Sequence, residues 1–342
     1  MRTRLRTLLV VGLALALLVW FLRHANLSSV WGELQQGRIE FLLFALLATG
    51  STYVLRAFRW QYLLLPLGRP HFVECLKTTV IGFAASTLLP ARAGEVIRPY
   101  LLAKHEGFSA TATFASIVIE RLLDMLAVLF LFATFVVCFS SGLPSTDPAV
   151  YSALKVGGVA AFAATLVGLV VMMVLAGHPD RLERWALKIE AILPARIARA
   201  VAGFVRAFVE GLAVVRQPGR MAIALVLSFP LWLSIALGIW ATSRAFHIEM
   251  SYPGAFLMMT ILVVGVAVPT PGAIGGFHEA FRIGATVFFA TPNDRAVGAA
   301  IVLHAMSFVP VTIAGLILMA REGLSLSGAS GLAARRAREE AL

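Results

Sequence analysis

The chain has 342 residues, of which 59% are hydrophobic and 14% charged, and it carries a formal net charge of +11. Soluble domains are about 45–50% apolar and about 25% charged, so this composition excludes an ordinary soluble protein. The positive charge does not indicate nucleic-acid binding, because basic residues collect at the cytoplasmic ends of membrane helices and no soluble basic domain is visible. The apolar runs are continuous rather than alternating, which argues against a β-barrel.

Six apolar segments each approach the about 20 residues that a helix needs to cross a bilayer. In chain order they are 7–23, 41–63, 114–139, 155–176, 221–245 and 296–320. The first follows a basic start without a small-residue cleavage site, so we expect a retained helix rather than a signal peptide. We predict an all-α polytopic membrane protein with a transmembrane domain over 1–325 and a basic cytoplasmic tail over 326–342.

Two further apolar stretches, 72–104 and 253–290, are interrupted by proline, glycine and charge. If each enters and leaves by the same face, most Lys and Arg residues fall on the cytoplasmic side, including the eight within 177–220. A single full crossing by the first stretch would place those eight outside. We therefore predict about six full transmembrane helices and two re-entrant or broken helix pairs, of which hydropathy would identify six to eight helices, and cytoplasmic termini. The apolar content of the second stretch also permits two short full spans.

An internal repeat is indicated by two similar stretches, ASIVIERLL at 115–123 and AAIVLHAMS at 299–307. Each follows one of the interrupted segments. Because three membrane crossings separate those segments in the predicted topology, the two units would be inverted relative to each other. Inverted repeats with broken helices are typical of transporters. Chance similarity between two membrane sequences is the alternative.

Arg92, Glu95 and Arg98 follow the first break, where residues 88–104 read LLPARAGEVIRPYLLAK. Backbone N–H groups freed by Pro90, together with two guanidinium groups, would form an anion site, and the planar fork of arginine suits phosphate. The alternative is a charged cytoplasmic loop that only obeys the positive-inside rule.

Glu120, Arg121 and Asp124 lie near one end of an otherwise apolar predicted span. Glu120 and Asp124 are four residues apart and share a helix face, while Arg121 and Asp124 are placed to pair. Ionisable groups inside a span are costly and indicate function. The two carboxylates are candidates for counter-ions of the arginines or for proton coupling. A salt bridge at the membrane interface is the alternative.

Gate or coupling residues are expected in the second broken segment and the last span. They are Pro271, Gly272, Gly275, His278, Glu279 and His304. Simple interface polarity is the alternative for His278 and Glu279. The sequence HEAFR is not a zinc-protease motif, because the second histidine of HExxH is replaced by Arg282. Cys75 and Cys138 lack metal-binding spacing. We expect no metal and no cofactor.

Four motifs taken together resemble a known family. They are LRAFRWQYLL (55–64), LLPARAGEVIRPYLLAK (88–104), ASIVIERLLDMLAV (115–128) and VPTPGAIGGFHEAF (268–281). In order and spacing they are similar to the transmembrane, flippase-like domain of lysylphosphatidylglycerol synthases. The resemblance adds two arginines to the candidate headgroup-binding residues, which become Arg56, Arg59, Arg92, Glu95, Arg98, Glu120, Arg121 and Asp124.

The resemblance implies a function in lipid translocation. In that family the membrane domain moves aminoacylated phospholipid from the inner to the outer leaflet, and a separate soluble domain attaches the amino acid. This chain ends soon after the last predicted span, so we expect a stand-alone member without the synthase domain.

We therefore expect a lipid translocase of a bacterial inner membrane, not an enzyme, that moves a phosphate-bearing or aminoacylated lipid between leaflets. The expected partner is a membrane phospholipid or another anionic lipid. A separate lipid-modifying synthase and a second copy of the chain are further candidates. The alternatives are a membrane enzyme, or an accessory subunit, acting on lipid phosphate, hopanoid or polyprenyl-linked sugar.

Overall fold

The computed structural model describes residues 27–89, 92–139, 218–268 and 270–323, with scattered positions between 149 and 170. All regular structure within those residues is helical. The helices are α1 (Leu27–Gln35), α2 (Ile39–Leu64), α3 (Phe72–Leu88), α4 (Gly94–Glu106), α5 (Ala110–Cys138), α6 (Pro218–Ala245), α7 (Gly254–Ala267), α8 (Gly276–Phe289) and α9 (Asn293–Arg321). The predicted span 7–23 and tail 326–342 lie outside the described residues, and 155–176 lies largely outside them.

Of the helices described, α2, α5, α6 and α9 are long and apolar enough to cross a membrane, with 26 to 29 residues each. At 1.5 Å per residue, helices of this length exceed the about 30 Å of the hydrocarbon core. Large apolar side chains such as Leu47, Val137 and Ile317 are exposed on them, as surfaces that contact lipid require. The chain is an all-α polytopic membrane protein.

Both interrupted stretches form two short helices that pack against each other, α3 with α4 and α7 with α8. These helices have 13 to 17 residues, fewer than the about 20 of a full crossing. At the second break a 3₁₀ turn, Pro271–Ala273, separates α7 from α8. Their depth in the membrane, and hence their re-entrant character, stays a prediction.

The backbone at each break includes residues with positive φ values. Gly272 and Gly275 have φ values of 60° and 87°, which glycine adopts without steric cost. Arg92 has a φ of 52°, which is uncommon for a residue with a Cβ atom. Its guanidinium donates to the Val266 carbonyl at the end of α7, so the first break is tied to the second broken pair.

In each broken pair the two helices touch through glycine. A Cβ atom added at Gly94 would lie 1.7 Å from the carbonyl oxygen of Gly82, and one added at Gly276 would lie 2.4 Å from that of Gly265. Backbone atoms cannot yield as a flexible side chain can, so both helix pairs depend on glycine at the contact.

We call the described chain through α5 the first half and the described chain from α6 onward the second half. The broken pairs of the two halves pack against long helices in the same way, and each half supplies a packing partner to the other. The second helix of each pair packs against the long helix that follows it, α4 against α5 and α8 against α9. The first helix of each pair packs against the long helix of the other half, α3 against α9 and α7 against α5. This exchange supports the inverted repeat indicated by the sequence, in which Glu120 of α5 corresponds to His304 of α9.

The glycine contact generates the first prediction. Gly94→Ala places a Cβ atom against backbone, and we expect a loss of about 1–3 kcal/mol or more in the free energy of unfolding, as for overpacked cores. Gly50→Ala, inside α2 with no atom within 4 Å of its added Cβ, is the matched control and should be neutral or slightly stabilising. Thermal unfolding in detergent measures both, and equal melting temperatures would contradict the contact.

A second prediction tests the orientation of α5. Cys138 is exposed at the end of α5 that the predicted topology places outside, whereas Cys75 is fully buried. A membrane-impermeant maleimide should therefore label intact cells at Cys138 and leave Cys75 unmodified. Cys138→Ser should abolish the labelling. If labelling requires permeabilised cells, α5 has the orientation opposite to the predicted one.

Candidate functional site

Five charged side chains meet in the interior between α2, α4 and α5. Arg56 and Arg59 come from α2, Arg98 from α4, and Glu120 and Asp124 from α5. Each is buried, and Glu120 and Arg59 have no exposed surface. We call these five residues the arginine–carboxylate cluster. Charges so far from water must be paired to be tolerated.

The pairing within the cluster is dense. Arg98 binds Glu120 with both terminal nitrogens, at 2.8 and 3.2 Å. Arg56 Nη1 donates to Glu120 Oε1 at 3.3 Å and to Asp124 Oδ2 at 3.1 Å, so it bridges the two carboxylates. Arg59 Nη1 lies 2.7 Å from Asp124 Oδ1. The i,i+4 spacing that places both carboxylates on one face of α5 thus gathers three arginines from two other helices.

Neutral side chains complete the coordination of the cluster. Trp60 lies under the Arg98 guanidinium, 3.9 Å from ring centroid to Cζ, and its indole N–H donates to Ser116. Trp232 Nε1 of α6 donates to Asp124 Oδ1 at 2.9 Å. Arg59 Nη1 donates to Ser228 Oγ at 2.7 Å. These contacts fix the rotamers of the charged groups and connect α6 to the cluster.

The cluster carries one excess positive charge, since three guanidinium groups face two carboxylates. Arg121 adds another: its guanidinium lies 3.5 Å from Asp124, 3.7 Å from Glu120 and 3.8 Å from Glu95, too far for strong hydrogen bonds. Its side chain is 41% exposed. The site is therefore electropositive and has one guanidinium that is only loosely held.

A cavity of about 160 Å³ adjoins the cluster, between the tips of the two broken helix pairs. Both halves line it: Ser86, Thr87, Arg92, Gly94, Glu95 and Arg98 come from the first pair, Val266, Thr270, Gly272 and Ala273 from the second, and Arg121 and Phe308 from the long helices. Its charged groups are thus three arginines and one glutamate.

Several donors around the cavity are buried and find no hydrogen-bond partner among the residues that the structure describes. They include Nε of Arg98, Nε of Arg121 and the hydroxyl of Thr270. A buried polar group without a partner costs about 1–3 kcal/mol, so a ligand that accepts these hydrogen bonds would be bound strongly. Two arginines and a hydroxyl are suited to an anion with several oxygens, such as phosphate.

Not every predicted headgroup-binding residue reaches this cavity. Arg92, Glu95, Arg98 and Arg121 line it. Arg56, Arg59, Glu120 and Asp124 do not line it. The two arginines pair with the two carboxylates, so that these four side chains neutralise one another. The structure thus separates a lining set from a set that holds Arg98 in place.

The predicted gate or coupling residues divide similarly. His304 Nε2 donates to the Gly272 carbonyl at 2.7 Å, and its ring lies 4.4 Å from that of His278, centroid to centroid. The N–H of Gly275 donates to His278 Nδ1 at 3.3 Å. These contacts bind α9 to the second break, where Pro271 begins the 3₁₀ turn. Glu279 is engaged elsewhere, in a bidentate ion pair with Arg282.

The contributors that were not identified from sequence include Trp60, Ser228, Trp232 and Thr270. Trp60 follows Arg56 by one helical turn, so its place beside the arginines was accessible to a periodicity argument. Ser228 and Trp232 lie on a helix far away in the chain and carry no charge that would distinguish them within an apolar span. Thr270 lies between two prolines of the second break, where its side-chain direction does not follow a helical period.

The cluster generates a third prediction. Glu120→Gln keeps the side-chain shape but leaves Arg98 and Arg56 under-neutralised, and breaking a buried ion pair in this way costs about 3–5 kcal/mol. We expect a clear fall in the melting temperature in detergent, followed by the fluorescence of the nearby tryptophans. Glu40→Gln, in the exposed Arg38–Glu40 pair, is the control and should leave the melting temperature unchanged. Similar melting temperatures for the two variants would contradict the structural role of Glu120.

One curated relative is similar over almost the whole chain. The glycosyltransferase AglD of Haloferax volcanii is 24% identical over 352 aligned residues, which cover 94% of this chain and 55% of the relative. The chain thus spans about half of that relative's length. Because the relative is named as an enzyme, it contradicts the sequence-based expectation that this chain is not one.

The family comparison confirms the resemblance seen in the four motifs. Residues 7–315 match the family described as the lysylphosphatidylglycerol synthase TM region. The match includes the helices that carry the arginine–carboxylate cluster, both breaks and the His304 helix. The chain belongs to the family of lysylphosphatidylglycerol synthase transmembrane regions.

Proposed function

We propose that the protein is a lipid translocase, which moves a phosphate-bearing or aminoacylated lipid between leaflets with its headgroup in the cavity. The observation that carries the proposal is the place of the cavity: it lies between the tips of both broken pairs and contains arginines. Transporters with inverted repeats bind their substrates at such a junction. The family, named for a phospholipid synthase, supports a function in membrane lipid chemistry.

The cavity groups match the chemistry of a headgroup. Arg92, Arg98 and Arg121 offer donors to phosphate oxygens, and the Thr270 hydroxyl offers another. Glu95, 3.9 Å from Arg92 and partly exposed, is placed to meet an amine such as that of an aminoacyl group. At about 160 Å³ the cavity is smaller than the 300–1,000 Å³ of drug-sized sites, so acyl chains would stay in the lipid.

Movement of the headgroup requires the two tips to separate. The Arg92 hydrogen bond to Val266 closes one side of the junction, and the His304 hydrogen bond to Gly272 anchors the second break to α9. Both hydrogen bonds are accepted by backbone carbonyls at or near a break. A break can act as a hinge, because a few residues there can take up a large change in φ and ψ. We assign Pro271, Gly272, Gly275 and the histidines to the gate on this ground.

The fourth prediction tests transport. The assay uses vesicles that contain fluorescent anionic or lysyl phospholipid and an added reductant that quenches fluorophores in the outer leaflet. With the wild-type protein, inner-leaflet lipid should reach the outer leaflet and its fluorescence should also be lost. Arg121→Gln should slow this at least about tenfold, in line with the about 1.5–3 kcal/mol of a charge-assisted hydrogen bond. Arg38→Gln removes the same charge from a side chain of similar exposure, 43% against 41%, outside the cavity, and should transport normally.

Two results would contradict the proposal. One is lipid movement no faster than in empty vesicles across the anionic and lysyl lipids tested. The other is equal transport by the Arg121 and Arg38 variants, which would show that the cavity does not contact the headgroup.

A second candidate function follows from the named relative. The chain would be the membrane part of an enzyme that attaches a sugar to a lipid phosphate, with Glu95 as the cavity base, because Glu120 is paired with buried arginines. Incubation with nucleotide sugars and polyprenyl phosphate, followed by mass spectrometry, should then give a glycosylated lipid that Glu95→Gln abolishes. Such a product would favour the enzyme over the translocase.

We place the protein in a bacterial inner membrane with both termini in the cytoplasm, as the distribution of basic residues predicts. A separate lipid-modifying synthase that supplies the substrate, and self-association, are part of the same proposal.

A further inference from the structure

Three side chains of the types that can bind a metal ion lie close together, away from the cavity. Glu74 is in the first turn of α3, His105 in the last turn of α4, and Glu322 directly follows α9. One potential ligand atom from each lies within 4.8 Å of the others. Their side chains are 22–27% exposed, so an ion could reach them from solvent.

The hydrogen bonds determine which atoms are available. Lys77 Nζ donates to Glu74 Oε1 at 2.7 Å, which leaves Glu74 Oε2 directed at His105 Nδ1, 3.0 Å away. A carboxylate only accepts, so Nδ1 carries the proton and Nε2 of a neutral ring has a free lone pair. That lone pair faces Glu322 Oε2 at 3.7 Å.

The carboxylate of Glu322 is the third member of this group. Its Oε2 atom is buried and has no hydrogen-bond partner within the described part of the chain. The gap of 3.7 Å between His105 Nε2 and Glu322 Oε2 is longer than a hydrogen bond, so the two atoms face each other without one. Zinc bonds to nitrogen and oxygen are about 2.0–2.2 Å long, so two ligands of a tetrahedral ion lie about 3.4 Å apart. The separation of 3.7 Å is within a small movement of that value.

We propose that His105 Nε2 and Glu322 bind a divalent transition-metal ion of the zinc class, with Glu74 as the carboxylate that orients His105. A metal-binding histidine usually donates its other ring N–H to such a carboxylate, which fixes the tautomer. Water, or Glu74 after a small rotation, completes the coordination. The ion would join the end of the last described helix to both helices of the first broken pair.

The test uses Zn²⁺ alone with the full chain, purified in detergent without a polyhistidine tag. Equilibrium dialysis with elemental analysis should find one Zn²⁺ per wild-type chain. His105→Gln and Glu322→Gln should each raise the Kd at least about tenfold, and Glu74→Gln by a factor in the range of about 10–100 seen for orienting partners. Zn²⁺ should raise the melting temperature of the wild type but not of the His105 variant.

His71→Gln is the matched control. His71 also contacts a glutamate, Glu106, at 3.2 Å, but it belongs to no group of three potential metal ligands within the described segments. This variant should bind Zn²⁺ as the wild type does. The proposal is overturned if the wild type binds no more Zn²⁺ than the His105 and Glu322 variants, or if the His71 variant loses the ion equally. All these readouts are independent of lipid transport.

Discussion

Glu120 and Asp124 lie on one face of α5 with almost no contact with solvent, where an unpaired carboxylate would cost several kcal/mol. Guanidinium groups from α2 and α4 neutralise them, and an indole from α6 adds a hydrogen bond. The relative positions of four helices are thus set by charge pairing. Arg98 can line the cavity only because Glu120 holds its terminal nitrogens, so the site depends on the same ion pairs that hold the helices together.

The two halves share an arrangement but differ in chemistry. Where the first half places Glu120 among arginines, the second places His304 among aromatic rings and a glycine carbonyl. The cavity between them consequently has one charged wall and one wall of backbone, threonine and Phe308. An anion would be attracted by the first wall, while the second offers the glycine-rich turn through which shape can change. The two walls thus differ in charge and in backbone geometry although the helices around them are arranged alike.

Much of the fold was accessible from sequence because the bilayer imposes simple rules. Hydropathy predicted the segments now seen as α2, α5, α6 and α9, and proline with glycine predicted both breaks. The cluster was only partly accessible. Glu120 and Asp124 were identified as costly in a span, but periodicity cannot show that Arg56 neutralises them while Arg121 reaches the cavity. That division depends on how helices far apart in the chain pack, as does the contact of Trp232 with Asp124.

The exchanged packing of the broken pairs has a consequence for synthesis. Helix α3 rests on α9, and α5 receives α7, so the first half leaves the ribosome with a receiving face that no segment yet covers. Its buried charges are paired within α2, α4 and α5, so it exposes none of these charges to lipid before the second half is inserted. In the second half the ion pair between Arg282 and Glu279 lies within α8, and α7 packs onto the face of α5 that the first half leaves uncovered. The first half can therefore neutralise its buried charges before the second half has been made.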